Sequence, residues 1–309
     1  MTPPEEPKVL ITAHDGPIAH GPELHARLQP FTIPILRFRG GAPYPDDARS
    51  GVLLKLGDLH FVVTAGHSVR GDFPMTVIGV RDYPHRFLFE PVSLRYIISE
   101  ARGDFGYFQV SPAQAVSIEA GNRAFLSARS VEVLSPAEHE AAADFFALAG
   151  YPEAMYGRKD EATGSSLLVY STTMAGGSHA PTSTLVRGPE TRREIHLWIP
   201  QQENVNTLTD EHDPATLCDF HGASGGGWWA THMNRPEWQP SAVKLIGTHV
   251  GSRQEATATD DGLRHKFSRV SLIGNHLALI AHDFPTLREY IYSSWPAVRK
   301  RLGPTVSPC

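Results

Sequence analysis

Short runs of apolar residues separated by turn residues dominate the first half of the chain. The clearest pair lies at 51–56 and 59–64 and flanks a Gly57-Asp58 turn, which predicts a tight β-hairpin. Further strands are predicted at 31–38, 75–80, 86–89, 94–98, 105–110 and 124–134. Because no long helical pattern separates these strands, they favour an all-β barrel or sandwich over a parallel sheet, which needs helical crossovers.

Helical signals interrupt this β pattern at two places. Ser135-Pro136-Ala137-Glu138 supplies an N-cap, a proline at the first helical position and a capping-box glutamate, so a helix is predicted to continue through 141–148. Helices are predicted again at 285–293 and 296–302, near the end of the chain. Between these helical regions we predict strands at 166–171, 183–186 and 194–199, and loops at 176–181 and 201–214.

Composition narrows the class of protein. The 309 residues suffice for two domains or one large one. Because 41% of the residues are apolar and 20% are charged, the composition excludes a disordered chain. The 28 basic and 33 acidic side chains leave a net charge of −5 without any basic stripe, so we expect neither a nucleic-acid nor a membrane partner. The two cysteines, Cys218 and Cys309, provide no disulfide framework. With no leader pattern or membrane span, a cytoplasmic location is predicted.

Two short stretches carry the residue types of nucleophilic catalysis. Phe61-Val-Val-Thr-Ala-Gly-His67 delivers a histidine at the end of a predicted strand, and Gly222-Ala-Ser-Gly-Gly226 holds a serine among glycines. Between them, Asp104 heads the predicted strand 105–110. Acyl transfer to a serine hydroxyl needs an imidazole base, a carboxylate that orients it, and backbone N–H donors for the oxyanion. Asp72 and Asp82 are alternative acids, but Asp72 is too close to His67 along the chain to reach its imidazole easily.

These stretches, in this order, resemble the chymotrypsin-fold, trypsin-like serine peptidases. Thr64-Ala65-Gly66-His67 is similar to the Thr-Ala-Ala-His block of that family, and Gly222-Ala-Ser-Gly-Gly226 to its Gly-Asp-Ser-Gly-Gly block. Gly150-Tyr-Pro152 and Ile246-Gly-Thr-His-Val-Gly251 resemble blocks of bacterial members, notably the glutamyl endopeptidases. The resemblance spans about residues 31–275.

The resemblance implies roles for individual residues. His67 would be the general base and acid, Asp104 its orienting carboxylate and Ser224 the nucleophile, with an oxyanion hole formed by the N–H groups of Gly222 and Ser224. The family's aspartate before the serine is Ala223 here, so activation by pairing with a new amino terminus is not expected. The mechanism needs no cofactor, and no metal motif is present.

The resemblance also bears on specificity. Cys218 stands where an aspartate would select a basic side chain, although Asp219 lies beside it. His249 falls where glutamyl endopeptidases place a histidine against an acidic P1 side chain, within the same block as Gly251. We therefore predict an acidic or amide P1 residue, while a histidine satisfied by neighbouring strands is an equal alternative.

The fold implied by the resemblance is all-β, with two six-stranded antiparallel β-barrels, an N-terminal arm, an inserted helix and a C-terminal helical tail. The corresponding division is an N-terminal extension at 1–30, a first barrel at 31–134, a connecting helix at 135–149, a second barrel at 150–280 and a tail at 281–309. The expected partner is a protein or peptide substrate. A partner protein could also bind the arm, an insertion at 154–214 or the C-terminal helices.

Two alternative functions remain open from the sequence. Gly222-x-Ser-x-Gly226 also fits the nucleophile elbow of α/β-hydrolases, whose acid and histidine follow the serine. That alternative would use Asp260 or Asp283 as the acid, with His265, His276 or His282 as the base. It also requires strands alternating with helices, which the first half of the chain does not show. The second alternative is a restrained or inactive binding module built on a peptidase fold.

Overall fold

The computed structural model of the chain describes most of the residues predicted to form strands and helices. The described ranges are 21–37, 47–70, 76–79, 86–89, 91–99, 103–142, 145–152, 156–161, 164–169, 172–179, 194–199, 221–233, 238–256 and 264–300. In these ranges the protein consists mostly of β-strands in two antiparallel sheets, with a few helices.

The first sheet contains seven strands. They are β1 (Thr32–Arg37), β2 (Asp47–Leu56), β3 (Leu59–Thr64), β4 (Thr76–Gly79), β5 (Arg86–Phe89), β6 (Ser93–Ser99) and β7 (Gly103–Val110). Their order is β5-β4-β1-β2-β3-β7-β6, so β5 and β6 are edge strands in the described part of the chain. The expectation of a six-stranded first barrel is therefore wrong there, because this sheet is open and has one more strand. The β2–β3 hairpin is confirmed, with Gly57 at φ +57° in its turn.

The second sheet is built from later strands. The chain continues with β8 (Phe145–Gly150), β9 (Tyr156–Glu161), β10 (Gly164–Val169), β11 (Thr172–His179), β12 (Glu194–Ile199), β13 (Gly227–Ala230), β14 (Lys244–Ala256) and β15 (Arg264–Leu272). Six of them pair in the ring β11-β12-β15-β14-β13-β8, while β9 and β10 form a separate hairpin. Two residue pairs between β11 and β12 complete the ring.

Helices lie at the start, in the middle and at the end of the described chain. They are α1 (Gly21–Leu28), α2 (Gly66–Val69), α3 (Pro112–Ala120), α4 (Pro136–Ala142), α5 (Ile273–Asp283) and α6 (Pro285–Ser294), followed by a 3₁₀ turn at Pro296–Lys300. None of the helices in the described residues has the length and apolar character needed to cross a bilayer.

The connection between the sheets differs from the sequence prediction. The predicted capping box is present, because the Ser135 N–H donates to Glu138 at 2.6 Å and the Glu138 N–H donates to the Ser135 hydroxyl at 3.3 Å. The helix ends at Ala142, however, and the apolar run that follows forms β8, a strand of the second sheet. The connecting helix at 135–149 is thus wrong in its second half. A buried apolar run fits a helix or a central strand equally well, and pairing with β11 and β13 decides between them.

Other boundaries also change. The predicted strand at 124–134 contains a 3₁₀ turn at Ala128–Ser130 and isolated bridges instead. The supposed insertion at 154–214 supplies two barrel strands, β11 and β12, and β11 replaces most of the loop predicted at 176–181. The predicted strand at 183–186 and the loop at 201–214 lie outside the described residues.

The ends of the described chain are packed onto the body of the protein. Leu24 and Leu28 of α1 are buried in the largest hydrophobic cluster, so this part of the predicted arm belongs to the core. Leu287 and Ile291 of α6 are buried in the same cluster, whereas Tyr290 is 39% exposed. The helical tail also begins earlier than 281, since α5 starts at Ile273.

The largest hydrophobic cluster joins both sheets to the C-terminal helices. It combines aromatic residues of the first sheet with apolar residues of the barrel and of α5: Phe61, Tyr107, Trp229, Leu245 and Leu277. Hydrogen bonds from Ser50 on β2 and Ser68 on α2 join the first sheet to the loop before β13, and the candidate site lies there.

Candidate active site

His67 enters the site because β3 ends at Thr64 and the chain turns into the short helix α2. Its ring Nδ1 lies 2.6 Å from Asp104 Oδ2, and its backbone N–H donates to Asp104 Oδ1 at 2.9 Å. Asp104 lies near the start of β7, which pairs with β3. The carboxylate therefore contacts both the ring and the main chain of one histidine, and fixes the direction in which the imidazole points.

Gly66 allows this close approach. A Cβ at this position would lie 2.5 Å from the Ile97 carbonyl oxygen and 2.9 Å from Asp104 Oδ1. Real Cβ atoms do not approach backbone oxygens that closely, so a side chain would displace β6 or the carboxylate. The glycine that departs from the Thr-Ala-Ala-His pattern is thus explained by the tight packing of α2 against β6.

Ser224 lies in a glycine-rich loop before β13. Gly222 and Gly225 have φ values of +86° and +88°, which favour glycine over residues with a side chain. The Gly226 N–H donates to the Ala223 carbonyl at 2.8 Å, closing a turn around Ser224. The Gly225 N–H donates to the His249 carbonyl at 2.7 Å, which ties the loop to β14.

The loop of Ser224 lies beside the helix of His67. The Ser68 hydroxyl donates to the Ser224 carbonyl at 3.4 Å, and the Ser50 N–H donates to the same oxygen at 2.8 Å. Within the described residues the Ser224 hydroxyl makes no hydrogen bond to His67, and the N–H groups of Gly222 and Ser224 have no acceptor. The structure thus brings His67 and Asp104 into contact and places the Ser224 loop next to them, with unused N–H donors.

Sequence reasoning missed Ser50, whose backbone and side chain both contact the Ser224 loop. The only sequence signal is a hydroxyl residue preceding the apolar run 51–54 on β2, and such residues are common in strands. The contact is set by tertiary structure, since Ser50 and Gly222 are 172 positions apart.

His249 is buried on β14. Its Nδ1 lies 2.7 Å from the Ser268 hydroxyl, which also accepts a hydrogen bond from the Trp228 indole N–H at 2.8 Å. Gly251, at a register shift in the same strand, has φ +148°, and a Cβ added to it would meet no atom of the described residues within 4 Å. Cys218 and Asp219 lie outside the described residues.

Helix α5 packs behind the Asp104 strand through His276. His276 is fully buried, with Nδ1 3.0 Å from the Gly106 carbonyl on β7 and Nε2 3.1 Å from the Thr248 hydroxyl on β14. Burial lowers the pKa of His276 to about 4, although the bond to Gly106 and the nearby Asp104 charge oppose the shift. The imidazole is therefore neutral at pH 7 and bridges the two sheets.

A second contact of α5 with β7 lies at Asp283. The Tyr107 hydroxyl donates to Asp283 Oδ2 at 2.7 Å, and Arg95 Nε lies 3.3 Å from the same oxygen. Burial raises the pKa of Tyr107, and the hydrogen bond with Asp283 adds to this rise. His276 and Asp283 are thus both engaged in holding α5 against β7.

Among the described residues, the other candidate acids and bases form no competing site. Asp72, Asp82 and Asp260 lie outside the described residues, and no side-chain position is described for His265. The α/β-hydrolase alternative is wrong, because every ladder between named strands in the described chain is antiparallel. Within the described ranges, no group of three or more His, Cys, Asp or Glu side chains is placed to hold a metal ion.

Comparison with known proteins gives matches only among solved structures. No protein-family model matches the sequence, and no curated protein matches it significantly. A serine endoprotease from Yersinia pestis is 14% identical with a TM-score of 0.43, over 87% of this chain and 66% of that one. A catalytically inactive tobacco etch virus protease, solved with its substrate, is 12% identical with a TM-score of 0.37, over 80% and 81% of the two chains.

A third solved structure comes from work on the coupled folding and binding of the Sesbania mosaic virus VPg protein. It is 13% identical with a TM-score of 0.38, over 79% of this chain and 86% of that one. This chain spans just under two thirds of the length of the Yersinia endoprotease. Two of these proteins are proteases, but identities and TM-scores this low place the chain in no family, so its function is argued from its own residues.

Proposed function

We propose that this protein is a serine endopeptidase that hydrolyses peptide bonds through an acyl-enzyme on Ser224. The observation that carries the proposal is the double contact of Asp104 with His67, on the ring and on the main chain, beside the glycine-rich loop of Ser224. A histidine oriented by a carboxylate next to a serine in such a loop is the arrangement that acyl transfer needs.

The proposed proton transfers follow from the tautomer of His67. With Asp104 accepting from Nδ1–H, the Nε2 atom is left as an acceptor for the Ser224 hydroxyl proton. The Ser224 Oγ then bonds to the substrate carbonyl carbon, and the proton on Nε2 passes to the leaving amine as the peptide bond breaks. Water hydrolyses the acyl-enzyme by the same route, with His67 first as base and then as acid.

The proposed oxyanion hole consists of the N–H groups of Gly222 and Ser224. In a trans peptide the C=O and the N–H point to opposite sides. Because the Ala223 carbonyl is held by Gly226, the N–H of Ser224 is turned away from that bond. Together with the N–H of Gly222, it is a donor available to a developing negative charge.

The proposed substrate is an extended peptide with an acidic or amide P1 side chain. A Cβ added to Gly251 on β14 would meet no atom of the described residues within 4 Å, so a substrate backbone could lie there, and His249 lies two residues before it. The imidazole of His249, whose Nδ1 lies 2.7 Å from the Ser268 hydroxyl, is proposed to contact the P1 side chain. Cys218 and Asp219 are proposed to line the same pocket.

Labelling with a fluorophosphonate tests the reaction. We expect the wild-type protein to be modified at Ser224, the Ser224→Ala variant not to be modified, and His67→Ala to react at least 100-fold more slowly, about the contribution of a general base. Asp104→Asn, which keeps the shape of the carboxylate, should also slow labelling. Equal labelling of wild type and Ser224→Ala would refute the mechanism.

One observation favours the second candidate, a restrained peptidase-fold binding module. The Ser224 hydroxyl has no hydrogen bond to His67 in the described structure, so the nucleophile is not yet engaged with its base. Enzymes without substrate often show such loose geometry. If the folded wild-type protein resists labelling under all conditions, including added peptides, the binding module is the better assignment.

Profiling of cleavage sites on a proteome-derived peptide library tests the P1 preference separately. We expect Glu and Gln to be enriched at P1 for the wild type and this enrichment to disappear in His249→Ala. His282→Ala, which changes a partly exposed histidine on α5, is the control and should keep the wild-type profile. An unchanged profile in His249→Ala would remove the P1 assignment and leave the catalytic residues untouched.

A further inference from the structure

Ser50 lies at the point where three segments of the site meet. Ser50 is fully buried on β2. The pairing of β2 with β3 begins two residues later, at Val52↔Val63, and continues to the turn. Its partner on β1 is Pro34, which has no N–H to donate. The N–H and the hydroxyl of Ser50 are therefore used outside the sheet.

Four hydrogen bonds use every polar group of Ser50. Its N–H donates to the Ser224 carbonyl at 2.8 Å, and its hydroxyl donates to the Gly222 carbonyl at 3.0 Å. The same hydroxyl accepts from the Tyr151 N–H at 2.8 Å, and the Ser50 carbonyl accepts from the Thr64 hydroxyl at 2.7 Å. One residue thus connects the end of the His67 strand, the Ser224 loop and the end of β8.

The Ser224 N–H lies in the peptide plane between residues 223 and 224. The hydrogen bonds of Ser50 fix the peptide planes immediately before and after it. The Gly222 and Ser224 carbonyls both point to Ser50, while the Ala223 carbonyl between them points to the Gly226 N–H. Rotation of any of these planes would break a buried hydrogen bond. The direction of the Ser224 N–H, one of the two proposed oxyanion donors, is therefore coupled to Ser50, whose hydroxyl holds the Gly222 carbonyl.

Among the described residues, no group besides Ser50 is placed to hold the Gly222 carbonyl. Ala223 is buried in an apolar cluster, and a Cβ at Gly150 would lie 3.2 Å from the Ser50 hydroxyl and 3.4 Å from the Ala223 Cβ. Apolar packing on Ala223 offers the loop no hydrogen bond. The directional contacts of the Gly222 carbonyl come from Ser50 alone among the described residues.

We infer that Ser50 is a positioning residue. Its hydroxyl helps to hold the Ser224 loop in its reactive conformation by uncharged hydrogen bonds. This inference rests on the proposed function and extends it. It means that formation of the oxyanion hole does not depend on a charged group in the loop. The hydroxyl touches no reacting atom and acts through the Gly222 carbonyl.

A matched pair of variants isolates the hydroxyl. Ser50→Thr and Ser50→Val have the same shape, and both enlarge the buried side chain, but only the threonine keeps a hydroxyl. Thr32→Val is a control for the loss of a buried hydroxyl elsewhere, since Thr32 donates to the Leu28 carbonyl at 3.2 Å. All variants are first compared by near-ultraviolet circular dichroism at a temperature where each is folded.

Fluorophosphonate inactivation then gives the limiting rate and the half-saturating concentration for each variant. We expect Ser50→Val to react about 10-fold or more slowly than Ser50→Thr in the limiting rate, with a similar half-saturating concentration, because one buried hydrogen bond is lost. Thr32→Val should react at the wild-type rate. Equal limiting rates for the Thr and Val variants would overturn the inference while the wild-type labelling still supports the proposed function.

Hydrogen exchange of the peptide covering 221–227 provides a readout that needs no catalysis. Faster exchange in Ser50→Val than in Ser50→Thr is expected, because the loop loses its anchor. Equal exchange would overturn the inference even if the protein proved to be a binding module. A wild-type protein that is not labelled at Ser224, by contrast, would overturn the proposed function first.

Discussion

Acid should destabilise this protein through His276, the buried histidine that bridges the two sheets. In the folded protein burial lowers the pKa of His276 to about 4, compared with 6.5 for a histidine in water. The unfolded chain therefore takes up a proton on this group at a higher pH than the folded protein does. The contribution of the neutral His276 imidazole to the free energy of unfolding is fully present above pH 6.5, and it is lost as the pH falls from there to about 4.

The size of this loss follows from the pKa difference. Each pKa unit corresponds to about 1.4 kcal/mol, so the wild-type protein should lose about 3 kcal/mol through His276 between pH 7 and pH 4. That is a large share of the stability of an ordinary domain, which is roughly 5–15 kcal/mol. The hydrogen bond to Gly106 and the charge of Asp104 do not prevent this loss, because burial outweighs them.

Urea unfolding at a series of pH values measures the effect. Carboxylates also titrate in this range, so the relevant quantity is the difference in pH dependence between the wild type and His276→Gln, which cannot titrate. We expect the free energy of unfolding of the variant to fall by about 3 kcal/mol less than that of the wild type between pH 7 and pH 4. Parallel curves for wild type and His276→Gln would refute the argument.

Three further substitutions test the packing around the site. Gly225→Ala should lower the free energy of unfolding in urea by about 3 kcal/mol or more, because the new Cβ would overlap the Ser50 carbonyl and the Thr64 hydroxyl and because φ is positive there. A loss below about 1 kcal/mol would contradict this close approach. Ala223→Asp should cost roughly 3 kcal/mol in the same assay by burying a carboxylate, and wild-type stability would show that the loop has room for it. Tyr107→Phe should lower the unfolding free energy by about 1–3 kcal/mol by removing the hydrogen bond to Asp283, and a change below about 0.3 kcal/mol would show that water replaces it.

Local signals predict several elements of the fold. The Gly57-Asp58 turn predicts the β2–β3 hairpin, and the capping box at Ser135 predicts the start of α4. The same signature is present at Ser111-Pro112-Ala113-Gln114, where Ser111 and Gln114 form a capping box that begins α3, a helix absent from the predicted elements. Each of these features depends on contacts between residues close in the chain, so the sequence contains the information directly.

Elements that depend on distant partners are predicted less well. The run Phe145–Gly150 has residues that favour a helix, yet it forms a central strand because β11 and β13 pair with it on both sides. Gly176 and Gly177 resemble a loop, yet they lie in β11 at a register shift. Burial and pairing outweigh local preference at these positions.

The order of residues along the chain is enough to predict the chemistry of the candidate site: a histidine after a buried strand, an acid at the head of another strand and a serine among glycines. The contacts between these residues depend on the folded structure. It places Asp104 against both the ring and the backbone nitrogen of His67, and it places Ser50 under the Ser224 loop from a distant part of the chain. Each of these hydrogen bonds joins residues that are distant in the sequence, 37 positions apart for His67 and Asp104 and 172 for Ser50 and Gly222. Their positions are therefore fixed by packing between the two sheets and α5, which no local pattern records.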